Sequence, residues 1–210
     1  MILTHENIDY IVNTLEASLS KNKKDYFAVQ ALSWISSKVG HKLGNLLDNL
    51  LTTLFSVCDL LDMNTSEDDI NAVVEEALNA VEYLVLRCPK EIQSHVEAIL
   101  KTAQSFISFD PNYNYDAADE AMEDGEDWGD EEDEWDEPGM DMNFDDDSSW
   151  KVRRSSIKVI LAVIRSRPDY LRMVYDEMSL GLVHRFKERD DKIQVNVLNG
   201  FAALLQASFY

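Results

Sequence analysis

Between Lys101 and Lys151 the 210-residue chain has no lysine or arginine, and over its whole length it has only two cysteines, Cys58 and Cys88. No apolar run reaches the roughly 18 residues that would suggest a membrane-spanning helix. The start, MILTHENIDY, lacks a basic segment followed by an apolar one, so no secretory leader is expected. Both cysteines sit in helical patterns, Cys88 directly before Pro89, and read as buried or half-buried thiols. That usage fits a reducing compartment, cytoplasm or nucleus. Catalytic signatures are missing as well: there is no GxSxG, P-loop or HExxH pattern. His5, His41, His95 and His184 are scattered without ligand spacing, and no Cys/His set could hold a metal. With no nucleophile, base and oxyanion donors to assemble, the expectation is a protein that is not an enzyme and needs no cofactor.

What fills the basic-free stretch is acid. Eighteen carboxylates lie between Asp116 and Asp147, against 40 in the whole chain. The formal charge of −21 therefore belongs mostly to one segment, because the remainder holds 22 acidic and 19 basic residues. That remainder has the balance of an ordinary folded domain. An acidic chain without a clustered basic surface is also a poor nucleic-acid binder. Trp128, Trp135, Met140, Met142 and Phe144 are spaced through the acids. The composition reads as a disordered, solvated segment that can make dynamic partner contacts.

Strand signals are almost absent, and helical periodicity runs through nearly everything else. Apolar residues recur at i, i+3 and i+4 in eight stripes, among them Ile8–Leu19, Ala28–Val39, Ile70–Leu84 and Ile193–Leu205. Ser66 before Glu67-Asp68-Asp69, and Ser148 and Ser149 after three aspartates, are positioned to cap the fourth and sixth helices. Pro89 and Pro168 mark helix junctions, where a missing N–H costs nothing. Alternate helices begin near Asp25, Asp69, Trp150 and Asp191, in steps of 44, 81 and 41 residues. Removing the 37 residues from 111 to 147 turns 81 into 44, and it brings the two prolines from 79 to 42 apart. A helix-pair period of about 40–47 residues is that of HEAT and armadillo solenoids. The expectation is an all-α HEAT solenoid of about four helical hairpins. Residues 1–110 and 148–210 form its repeats, and 111–147 form an acidic loop inserted in the third. Such a loop is cheap, since doubling its length costs only about 0.6 kcal/mol.

Two local patterns bear on chemistry. Asp110, Asn112 and Asn114 mimic the first ligands of a calcium hand, but Tyr115 stands where glycine is needed and Ala121 where glutamate is needed. The pattern fails, and Tyr113 and Tyr115 read as anchors for the root of the loop. Trp150, Lys151, Arg153 and Arg154 open the sixth helix with a basic cluster, which Lys187 and Arg189 extend one repeat later. The cluster can relieve the adjacent acids, or it can form a contact surface for a protein partner.

Four blocks occur in order: Arg87-Cys88-Pro89-Lys90-Glu91, Phe109-Asp110-Pro111-Asn112-Tyr113-Asn114-Tyr115-Asp116 leading into the acids, Ser149-Trp150-Lys151-Val152-Arg153-Arg154, and Arg185-Phe186-Lys187-Glu188-Arg189. In order and spacing they resemble the cullin-associated, neddylation-dissociated proteins, long HEAT solenoids. The resemblance is close from Arg87 onward and weaker over residues 1–86. It matches a piece of the family's N-terminal third. It implies a non-catalytic scaffold that binds an unmodified cullin with its RING subunit and regulates ubiquitin-ligase assembly by exchanging substrate-receptor modules. It also leaves room for a second chain that completes the solenoid. The alternative is a karyopherin-like HEAT transport receptor, also capable of carrying an acidic loop. The inserted-loop reading has a direct test. Limited proteolysis should cut first between Asp116 and Asp147, and deleting residues 119–145 should leave helicity and Tm nearly unchanged. Collapse of the fold on deletion would refute the insertion.

Overall fold

The computed structural model describes residues 4–62, 67–111, 148–188 and 191–208. Among these residues there is no strand, and eight α-helices follow one another. They are α1 (His5–Lys21), α2 (Tyr26–Val39), α3 (Leu47–Cys58), α4 (Asp68–Arg87), α5 (Val96–Ile107), α6 (Ser149–Ser166), α7 (Leu171–His184) and α8 (Asp191–Ser208). Each matches one apolar stripe of the sequence.

Local chemistry sets several helix starts. The side chain of Thr4 accepts from the Asn7 amide at 3.4 Å, and Asp25 accepts from the Ala28 amide at 3.2 Å. These bonds satisfy first-turn donors that a helix leaves unpaired. α4 opens with Asp68 and Asp69 at the positive end of its dipole, behind Glu67; Ser66 lies outside the described residues. Pro168 begins the 3-10 turn that leads into α7.

Consecutive helices pair as hairpins: α1 with α2, α3 with α4, α5 with α6 and α7 with α8. The second helices α2, α4, α6 and α8 pack side by side in one layer, and the first helices cover the other side. The architecture is an all-α, HEAT-like solenoid. α4 and α6 pack directly although about 60 residues separate them in sequence. α6 is the most enclosed element, because α4, α5 and α8 all press on it. Val152, Ile157, Val159, Ile160 and Val163 are buried around nearly its whole circumference. Each such side chain contributes about 1.5–3 kcal/mol of burial.

The turns leading from one hairpin to the next are stapled together. The Cys88 thiol donates to the Gly40 carbonyl at 2.9 Å. Arg167 Nη1 donates to the Pro89 carbonyl at 2.8 Å, and the Tyr170 hydroxyl donates to the Gln93 carbonyl at 3.0 Å. His95 Nε2 lies 2.8 Å from Asp48 Oδ1. Asp169 pairs with the guanidinium of Arg167, whose hydrogen bond holds the carboxyl below the usual range. Both cysteines are free and buried, and burial pushes the Cys58 thiol up to about 12 and that of Cys88 to about 11. These thiols are inert at neutral pH.

Gly40 is required by close approach, since a Cβ there would stand 2.8 Å from Cβ of Arg87. Gly181, inside α7, has its nearest neighbour, Ile107, at an ordinary 3.7 Å. Gly40→Ala is expected to cost about 1–3 kcal/mol by overpacking. Gly181→Ala should stabilise by about 0.5–1 kcal/mol through helix propensity. Urea denaturation of the two variants checks the contrast.

Candidate protein-interaction site

The site begins where the chain re-enters the stack at α6. Ser148 holds the N-cap position, but its side chain caps nothing. Its hydroxyl donates instead to the Asp68 carboxylate and accepts from Asn71 Nδ2 at 2.9 Å. The expected cap is thus diverted, because the Ser148 oxygen accepts from the Asn71 amide instead of from a first-turn backbone N–H. The diversion ties the first turn of α6 to the first turn of α4.

Arg153, one turn further, faces inward. Its side chain is 5% exposed, and its Nη1 donates to the Phe109 carbonyl at 2.7 Å and to Ser149 Oγ at 2.9 Å. Its Nε and Nη2 grip both oxygens of Glu188, at 3.2 and 3.1 Å. Asp110 Oδ1 lies 3.7 Å from Arg153, and Asp110 Oδ2 lies 3.8 Å from Arg185 Nη1. Arg185 Nη1 also reaches Glu188 Oε2 at 3.4 Å. Two guanidinium groups and two carboxylates, all buried, therefore cancel one another. Buried charges survive only when paired and hydrogen-bonded in this way. The cluster joins the end of α5, the start of α6 and the turn after α7. It also removes Arg153 from the surface on which the basic cluster of the sequence had placed it.

The other members divide differently. Trp150, Lys151 and Arg154 lie together on the half-exposed side of α6. Arg154 stands over the indole of Trp150 with its guanidinium carbon 4.9 Å from the ring centroid, and Lys151 Nζ stands at 5.8 Å. These are cation–π distances. Arg154 also bridges to Glu75 on α4 at 2.9 Å, so part of its charge is answered within the fold. Lys187 is exposed in the 3-10 turn Arg185–Lys187, which the Arg153–Glu188 fork fastens to α6. Arg189, the Tyr113 and Tyr115 anchors and the acids from 116 to 147 lie outside the described residues.

Asp110, Arg185 and Glu188 are the residues that sequence reasoning missed. The blocks Phe109-Asp110 and Arg185–Glu188 flagged the neighbourhoods, but no periodic signal pairs residues 35 to 78 positions apart. Asp110, the first position of the failed calcium pattern, is an arginine partner. Among the described residues no group of three or more His, Cys, Asp or Glu could hold a metal. The surface offers an aromatic face and positive charge beside the buried cluster, features suited to protein contact.

No family model matches the chain. It is similar to cullin-associated NEDD8-dissociated protein 1 of Drosophila melanogaster, 33% identical over 184 residues that cover 85% of the chain and 13% of the relative. It is similar to protein 1 of Dictyostelium discoideum, 32% identical over 95% of the chain and 16% of the relative. Protein 2 of Mus musculus is 34% identical over 85% of the chain and 14% of the relative. The chain thus spans 13–16% of the length of these relatives.

The buried cluster has a measurable weight. Arg153→Met strands Asp110 and Glu188 on a single guanidinium and should lower unfolding stability by about 3–5 kcal/mol. Arg154→Met, at the surface, should cost less than about 1 kcal/mol. Equal losses in urea titrations would contradict the assignment of the first residue to the interior and the second to the surface.

Proposed function

Because the chain belongs to the family of cullin-associated NEDD8-dissociated proteins, we propose that it is a cullin-binding portion of a helical scaffold. The carrying observation is the similarity itself, which runs over 85–95% of the chain in three relatives from distant organisms. The partner is an unmodified cullin with its RING subunit. The consequence of binding is altered assembly of a cullin–RING ubiquitin ligase through exchange of its substrate-receptor modules. The chain does this without catalysis or cofactor, in the cytoplasm or nucleus, where free buried thiols such as Cys58 and Cys88 persist.

Trp150, Lys151, Arg154 and Lys187, continued by Arg189, supply the contact surface, while Arg153 holds its base. Aromatic and arginine side chains on a rigid support are the usual anchors of a protein interface. Residues 111–147 are an acidic insertion in the third hairpin, held at its root by Asp110 and Ser149. A partner solenoid segment completes the stack at its ends. Phe27 and Trp34 on α2, and Val195 and Leu198 on α8, support this, since these large apolar residues are exposed where a further hairpin would cover them. Among the described residues no helix is long and apolar enough to cross a membrane.

A pull-down with unmodified and neddylated cullin, each with its RING subunit, tests the proposal. The unmodified form should be retained in preference, and Trp150→Ala with Arg154→Glu should weaken it at least about tenfold, about 1.4 kcal/mol. Equal retention of both forms, or of neither, would overturn the assignment.

A further inference from the structure

A groove of about 600 Å³ runs between α6 and α8, far along α6 from Trp150. Ile164 and Arg165 form one wall, and Asn199, Ala203, Gln206 and Ala207 form the other. We propose that this groove binds an extended peptide segment that carries a carboxylate, with Arg165 taking the carboxylate and Asn199 and Gln206 taking the peptide backbone.

The repeat explains why the site exists here and not one hairpin earlier. Positions 199 and 206 of α8 correspond, 41 residues on, to Lys158 and Arg165 of α6. On the α4 side of α6 those two cations face Glu82, so charge meets charge across that seam. On α8 the same two positions carry neutral carboxamides. The single acid of that helix is Asp191, in its first turn. The α6–α8 groove is therefore bounded by an exposed guanidinium on one side and has no carboxylate on the other. Lys158 and Arg165 are two cations against the one carboxylate of Glu82, so an acidic ligand meets the excess positive charge, and a guanidinium binds a carboxylate with two parallel hydrogen bonds.

The carboxamides decide the form of the ligand. Asn199 and Gln206 are both exposed and lie two helical turns apart, about 10 Å along the axis. About three residues of extended chain span that distance. Each carboxamide offers both a donor and an acceptor, matching one peptide unit. A helix laid in the groove would have its own backbone groups paired already and would bury these amides without partners, which costs binding. An extended segment pairs with them. The short side chains of Ala203 and Ala207 leave the depth such a segment needs, and Ile164 gives it an apolar wall. This site does not depend on the cullin surface and can be tested without a cullin.

Fluorescence anisotropy with the full chain and a labelled dodecapeptide (Val-Glu-Ala)₄ provides the test, at about 0.1 M salt so that distant charges are screened. Saturable binding is expected, with loss of at least about tenfold on Arg165→Glu and on Gln206→Ala. Ala203→Trp, which fills the groove, should abolish it. Lys38→Glu, a charge change of the same size on α2, should leave affinity unchanged, and circular dichroism confirms that each variant is folded. Equal binding of the peptide with every Glu replaced by Gln would overturn the proposal. So would indifference to Arg165→Glu and Gln206→Ala, or binding that appears only after residues 116–147 are deleted, because the occupant would then be the chain's own acidic tract.

Discussion

α6 is buried on every side but one because α4, α5 and α8 close around it, and the rest of the stack depends on that enclosure. The α4–α6 contact is the longest-range one that the fold needs. It brings together helices separated by α5 and by the whole acidic stretch. Once it forms, the described residues before 112 and after 147 belong to one layered core. Loop closure grows only logarithmically with length, whereas burial of Val152, Ile157 and Ile160 scales with area. A solenoid is suited to this bargain, since each hairpin needs only its neighbours.

Charge is handled in three separate ways. Residues 116–147 concentrate it in sequence. The α4–α6 seam opposes Glu75 and Glu82 to Arg154, Lys158 and Arg165, at partly exposed positions where each pair contributes little. The cluster of Asp110, Arg153, Arg185 and Glu188 withdraws four charges from water altogether. Such a cluster is a weak source of net stability, yet breaking it is costly. It fastens Phe109 and Asp110, which precede the acidic segment, and Ser149, which follows it, to the turn after α7. The surface formed by Trp150, Lys151 and Arg154 stands beside this cluster on the same helix.

Among the described residues the thiols are buried and the carboxylates of the cluster are paired, whereas Phe27, Trp34, Lys187, Asn199 and Gln206 are exposed. The similarity to cullin-associated proteins sits comfortably on such a molecule. Stacked hairpins present long, extended surfaces to solvent.

Eight apolar stripes, the period near 42 residues and the interruption of that period by acid were all legible in the sequence. Helical burial repeats every 3.6 residues, and stacking repeats every hairpin, so both leave one-dimensional traces. The direction in which Arg153 points left no such trace. Arg153 and Arg154 are adjacent, equally basic and equally close to the acids, yet one lies inside the fold and the other on its surface. Ser148 was readable as a cap, but α4 took its hydroxyl. Local pattern determined which segments are helices and how often they recur. Only the tertiary structure decided which charges face each other, because a helix turns adjacent residues about 100° apart and the neighbours that then meet them come from distant hairpins.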